Sequence, residues 1–166
     1  MVLVKIFQEL NRRKIRYLVA GGVAANLYGS PRLTKDLDLW VDMEENNLRK
    51  LVQAFKKMGF IPRIPVKAEE FISRENRERW FREKGMLAYT VINPKNPFEN
   101  VDILLRVPFP FEKAYQRRKV FKSASTPVST VSTEDLMAMK KKAGRPQDVA
   151  DIEILRKTIP IPENRP

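Results

Sequence analysis

Hydrophobic and polar positions along this chain switch between a helical period and a period of two, and the switches divide it into elements. Leu3, Ile6, Phe7 and Leu10 recur at helical spacing, so the first dozen residues read as an amphipathic helix ending near the basic run Arg12 to Arg16. Tyr17 to Ala20 is short and apolar, which predicts a buried strand. Gly21 and Gly22 interrupt it, and Val23 to Tyr28 predicts a short helix stopped by Gly29, with Ser30 and Pro31 as a turn. From Leu33 to Val41 the period becomes two: Leu33, Leu37, Leu39 and Val41 share one face, and Thr34, Asp36, Asp38 and Trp40 share the other. Asp42 and Glu45 have capping-box spacing for a helix with Leu48, Leu51, Val52, Phe55 and Met58 inward and Gly59 at its end.

The second half is more broken. Ile61 to Val66 carries two prolines and reads as an edge strand or loop. Glu69 to Lys84 is densely charged around Phe71, Ile72, Trp80 and Phe81, a surface helix with a narrow apolar stripe. Met86 to Ile92 and Asn100 to Leu105 form a hairpin across the turn Asn93 to Glu99. Phe111 to Arg118 predicts a short helix, and Lys119 to Lys122 and Pro127 to Val131 predict short strands. Ser132 and Thr133 cap a helix reaching Lys142 along Leu136, Met137 and Met139. A last helix starts at Pro146 and buries Val149, Ile152 and Leu155. The elements predict an α/β (α+β) fold, a mixed β-sheet flanked by helices, in a single domain over residues 1–159, with 160–166 a flexible, proline-rich tail.

Composition narrows the chemistry. A chain of 166 residues can bury a core without disulfides. It contains no Cys and no His, which removes thiol nucleophiles, Ser-His-Asp triads and ordinary zinc sites together. A metal must then be held by oxygen, which suits Mg²⁺, Mn²⁺ or Ca²⁺, and a general base must be a carboxylate, Lys or Tyr. The formal charge of +12 attracts phosphate-rich molecules, nucleotide or nucleic acid, although it also suits a merely soluble surface. No apolar run approaches the roughly 20 residues that span a bilayer, and MVLVKIFQEL lacks the layout of a signal peptide; the expectation is a cytoplasmic protein.

Asp36 and Asp38 leave the same face of one strand, with Cα atoms about 6.6 Å apart at roughly 3.3 Å per residue. Two like charges there cost free energy unless a cation neutralises them, or unless the face is simply solvated. Gly21 and Gly22, between a strand and a helix, let bare backbone approach a phosphate, though such a pair also serves as a plain turn. Arg74, Arg77, Arg79, Trp80 and Arg82 interleave cations with an aromatic, which fits nucleic-acid stacking or a solvated helix with Trp80 turned inward.

These residues resemble the nucleotidyltransferase superfamily that includes DNA polymerase β. The pattern is an apolar residue, Gly, Gly or Ser, a spacer, and Asp-apolar-Asp/Glu-apolar; here Ala20-Gly21-Gly22, a spacer of 13 residues from Val23 to Lys35, and Asp36-Leu37-Asp38-Leu39. Arg32-x-Thr34-x-Asp36, Glu134-Asp135-Leu136 and the stretch from Lys140 through Arg145 to Asp151 resemble the small AbiEii-toxin-like and minimal nucleotidyltransferase subgroup. The resemblance implies a nucleotidyltransferase-like sheet, transfer of a nucleoside monophosphate from a nucleoside triphosphate to a hydroxyl of RNA, tRNA, protein or a small molecule, and a toxin or antitoxin partner. It implies Mg²⁺ (or Mn²⁺) held by Asp36, Asp38 and Asp102, the last from Val101-Asp102-Ile103. Asp102 could also take the acceptor's proton. Gly21, Gly22, Arg32, Thr34 and Lys140 are implied to bind nucleotide and phosphate, although Arg32 and Lys140 also suit a surface and Thr34 a cross-strand pair; Arg145, Asp148 and Asp151 either shape the pocket or serve as capping and dipole charges at a helix start. Two rivals stand beside this reading: a catalytically silent antitoxin-type module of the same fold, and an RNA-binding domain with chance motif matches.

Overall fold

The computed structural model describes residues 2–31, 33–34 and 36–158. In chain order it forms α1 (Val2–Arg12), β1 (Tyr17–Ala20), α2 (Gly21–Leu27), β2 (Asp36–Val41), α3 (Glu45–Lys57) and β3 (Ile61–Pro62). A 3₁₀ turn (Ala68–Ile72) leads to α4 (Arg74–Lys84), β4 (Ala88–Asn93), β5 (Asn96–Leu104) and α5 (Phe111–Arg117). The chain continues with β6 (Lys119–Ser123), β7 (Thr126–Thr130), α6 (Thr133–Ala143) and α7 (Pro146–Thr158). The strands make one mixed seven-stranded sheet in the order β3-β4-β5-β2-β1-β7-β6. β1 runs antiparallel to β2, while β2 with β5 and β1 with β7 are parallel pairs. This is the mixed α/β sheet with flanking helices, in one domain, that the periodicity predicts.

Central position explains the apolar run of β1. Flanked by β2 and β7 and covered on both faces, every residue from Tyr17 to Ala20 is buried. On one face of the sheet, α3 sets Leu51, Val52 and Phe55 against Tyr89, Val91 and Ile103 around a small apolar void. Burying side chains of this size stabilises the fold by about 1.5–3 kcal/mol each. Asp36 and Asp38 alternate with the buried Leu37 and Leu39, so they leave the sheet on the opposite face from that core.

Several boundaries move. The strand expected from Leu33 begins at Asp36, and Leu33 is 95 % exposed, because no neighbouring strand continues far enough to pair with it. α2 starts at Gly21, two residues before Val23, so both glycines belong to its first turn. The cap of α3 is Glu44, whose carboxylate accepts from the backbone N–H groups of Asn46 and Asn47; Asp42 instead accepts from the N–H of Glu44. Ser73, capping α4 by accepting from Asn76 N–H, divides the single helix expected over Glu69 to Lys84. The hairpin turn shrinks to Pro94 and Lys95, and β5 begins at Asn96. Leu155 is buried as expected, Ile152 is half-buried, and Val149, expected inside, is 56 % exposed; α7 turns Asp148 and Asp151 inward in its place. Ile61 and Pro62 do form an edge strand. No helix of the described residues is long and apolar enough to cross a membrane. Residues 160–166, expected to be a tail, lie outside the described residues.

Candidate active site

Register builds the site. In the parallel pairing of β2 with β5, Asp36 stands beside Asn100 and Asp38 beside Asp102; on the far side of β5, Thr90 of β4 stands beside Asp102. Ala20, Asp38, Asp102 and Thr90 thus form one row across four strands, with Asp36 and Asn100 two residues along. Partners in register share a face, so the acid predicted from Val101-Asp102-Ile103 stands next to the Asp36/Asp38 pair on the same side of the sheet.

Each carboxylate meets a different environment. Asp102 Oδ1 accepts a 2.6 Å hydrogen bond from the Thr90 hydroxyl, and Asp36 Oδ1 accepts a longer one, 3.4 Å, from the Asn100 amide. Asp38 lies against the start of α2. A Cβ added to Gly21 would fall 1.8 Å from Asp38 Oδ2, and the Gly22 N–H donates to the Asp38 carboxylate. Burial raises the Asp38 carboxyl to about 6, the neighbouring charges of Asp102 and Asp36 push the same way, and Arg145 and the Gly22 N–H oppose them. Gly21 has φ +60, the left-handed region that costs other residues about 1–2 kcal/mol. Glycine is required there both for that conformation and for the space Asp38 fills.

The donors suit a hard divalent cation: they are oxygen only, and an ion between Asp38 and Asp102 would relieve the repulsion that raises Asp38. Among the described residues, no three carboxylates already converge as a metal cluster. Asp38 packs against the first turn of α2, where the Gly22 N–H donates to its carboxylate.

The cations divide in a way the sequence did not reveal. Lys140, expected to meet phosphate, is 3 % exposed, and its ammonium lies 2.6 Å from Asp151 Oδ2 and 3.4 Å from Asp148 Oδ1. Ser30 Oγ donates to Asp151 Oδ1 at 3.0 Å, tying the loop after α2 to this buried group. Arg145 emerges from it: its backbone N–H and Nε donate to Asp148 Oδ2 at 3.2 and 2.8 Å, while its side chain is mostly exposed and its charge reaches Asp38. Buried Asp148 is held below the usual carboxylate range, because the Arg145 hydrogen bond and the charges of Arg145 and Lys140 outweigh burial. The Arg145 to Asp148 spacing at a helix start hinted at that bond, whereas Thr90 and Asn100 gave no sequence signal. Thr34 precedes β2, and its hydroxyl donates to the Asp36 carbonyl at 3.5 Å. Arg32 lies outside the described residues. Trp80 faces the core, stacked 5.7 Å from Tyr89, which stacks 4.4 Å from Phe71, so it offers no open stacking surface.

Solved structures share this architecture. A lincosamide antibiotic adenylyltransferase, LnuA, with lincomycin bound superposes with a TM-score of 0.62 at 14 % identity, over 95 % of this chain and 96 % of that one. ANT(2″)-Ia in complex with adenylyl-2″-tobramycin gives 0.60 at 12 % identity, over 95 % and 87 %. A protein of Thermotoga maritima described as a nucleotidyltransferase gives 0.58 at 19 % identity, over 94 % and 89 %. At such identities the likeness establishes the fold. No curated protein sequence matches the chain. The sequence model of the family described as nucleotidyl transferase AbiEii toxin, type IV toxin–antitoxin system, matches residues 9–165. With that match spanning nearly the whole chain, the protein belongs to the AbiEii nucleotidyl transferase family and is an enzyme of nucleotidyltransferase type.

Proposed function

We propose that this chain transfers a nucleoside monophosphate from a nucleoside triphosphate to a hydroxyl acceptor on RNA, protein or a small molecule, with Asp36, Asp38 and Asp102 holding Mg²⁺ or Mn²⁺. The observation that carries the reading is the register of β2 against β5, which sets Asp38 beside Asp102 next to the glycine start of α2. Bound there, a divalent ion would make the acceptor hydroxyl more acidic and neutralise phosphate charge.

Each residue is assigned a task in this transfer. Gly21 and Gly22, against which Asp38 packs, are assigned to the phosphate oxygens, and Arg145, fixed by Asp148, supplies a guanidinium whose charge reaches Asp38. Arg32 and Thr34, just before β2, are assigned to the same triphosphate. Lys140 holds the α6–α7 junction that aims Arg145 rather than meeting phosphate itself. In the transfer, the acceptor oxygen forms a bond to the α-phosphorus while the bond to the α–β bridging oxygen breaks. Pyrophosphate departs, and the acceptor's proton passes to a carboxylate, a role assigned to Asp102. The family's description supports a role beside an antitoxin partner, and the nucleoside triphosphate substrate supports a cytoplasmic setting.

The test is incubation of the purified protein with each labelled nucleoside triphosphate, Mg²⁺ or Mn²⁺, and cellular RNA or protein. Label should enter an acceptor, and Asp38→Ala should abolish it. Metal-independent labelling, or full labelling by Asp38→Ala, would remove the proposal.

A further inference from the structure

We infer that Thr90 and Asn100 are positioning residues, each setting the orientation of one acid of the site, an inference that rests on the metal-dependent reading above. Asp102 lies in the middle of a three-strand row, with Asp38 on one side and Thr90 on the other. The Thr90 hydroxyl donates to Asp102 Oδ1 at 2.6 Å. A threonine hydroxyl has one proton to give, and a bond to one carboxylate oxygen stops the carboxylate rotating. Asp102 then keeps Oδ2 for the side where Asp38 stands. A freely turning carboxylate would have to lose that freedom when an ion binds, so prior fixation strengthens binding.

Asn100 repeats the arrangement one step along the strands. Its Nδ2 donates to Asp36 Oδ1 at 3.4 Å, and its Oδ1 is buried with no hydrogen-bond partner among the described residues. An unmet buried acceptor costs about 1–3 kcal/mol, which is not expected of a residue chosen only to stabilise a strand. Nδ2 is the end of the amide that meets Asp36, since turning it over would set oxygen against carboxylate. Each of two neighbouring β5 positions on the acid face is thereby matched: an acid with a donor from β4, and a donor to an acid on β2.

The experiment compares wild type, Thr90→Val, Thr90→Ser and Asp102→Asn as full chains. Two quantities are read: Mn²⁺ affinity without nucleotide, from the electron paramagnetic resonance signal of free Mn²⁺, and the separate kcat and KM of transfer. Thr90→Val keeps the β-branched shape and should weaken Mn²⁺ binding about tenfold, lowering kcat more than it raises KM, whereas Thr90→Ser retains the donor and should stay within about threefold of wild type. Thermal unfolding of each variant separates this from loss of fold. Wild-type Mn²⁺ affinity in Thr90→Val, or equal losses in the Val and Ser variants, overturns the inference while leaving the site reading intact, provided Asp102→Asn weakens binding. If Asp102→Asn binds Mn²⁺ as wild type does, the site reading falls and this inference with it.

Discussion

Lys140→Met separates a structural role for this lysine from a phosphate-binding one. The substitution keeps an unbranched apolar stem and deletes the ammonium. In the structure that ammonium lies 2.6 Å from Asp151 and 3.4 Å from Asp148, both carboxylates being essentially inaccessible at 1 % and 0 % exposure. Removing one partner of a buried ion pair costs about 3–5 kcal/mol, because the other charge stays out of water without compensation. Arg145 still holds Asp148 and Ser30 still reaches Asp151, so the low end, about 3 kcal/mol, is expected here. A chain of this length loses about 2–4 °C in Tm per kcal/mol, which gives a fall of roughly 6–12 °C. Circular dichroism at pH 7 reads the Tm. The double variant Lys140→Met/Asp151→Leu should recover most of the loss, since replacing both charges leaves no orphan at that pair. A Tm within about 2 °C of wild type, with only the KM for the triphosphate raised, would show that Lys140 meets the substrate and that the argument from burial fails.

Three other outcomes follow from the same geometry. Gly21→Ala should lower stability by about 1–2 kcal/mol through the left-handed backbone alone, and should cut transfer activity far more, since its methyl group occupies the place of Asp38 Oδ2; a variant with full activity would refute this. Trp80→Ala should cost about 3–5 kcal/mol in urea unfolding by emptying the stack on Tyr89, while RNA binding measured under folded conditions stays unchanged. Glu9 is held at about 2 by hydrogen bonds from Arg12, first, and Arg13. A depressed carboxyl contributes stability above its unfolded value of about 4.5 that is lost as pH falls toward 2. Glu9→Gln should therefore be less stable than wild type at pH 6 and equal to it near pH 2; a pH-independent difference in Tm would contradict it.

The sequence by itself determined the local matters. Alternation placed Asp36 and Asp38 on one face, opposite Leu37 and Leu39, because a strand's side-chain period allows nothing else. The glycine pair at a strand-to-helix junction, the Asp-Leu-Asp string and the absence of His and Cys limited any metal site to oxygen ligands. Even there, local signals misplaced element ends at Leu33, Asp42 and Val23, where only pairing and caps decide. Tertiary structure decided what meets what. Nothing in the pattern of β5 states that it lies parallel to β2 in the register that sets Asp102 beside Asp38, or that β4 brings Thr90 to its other side. Nor does helical periodicity distinguish a lysine in solvent from Lys140, which an apolar count assigns to the surface and which α7 buries by supplying two carboxylates. A hydrophobic pattern records the average preference of a face for water. A buried charge survives only through a specific partner, and that partner comes from a different element, so the arrangement exists only once the chain has folded.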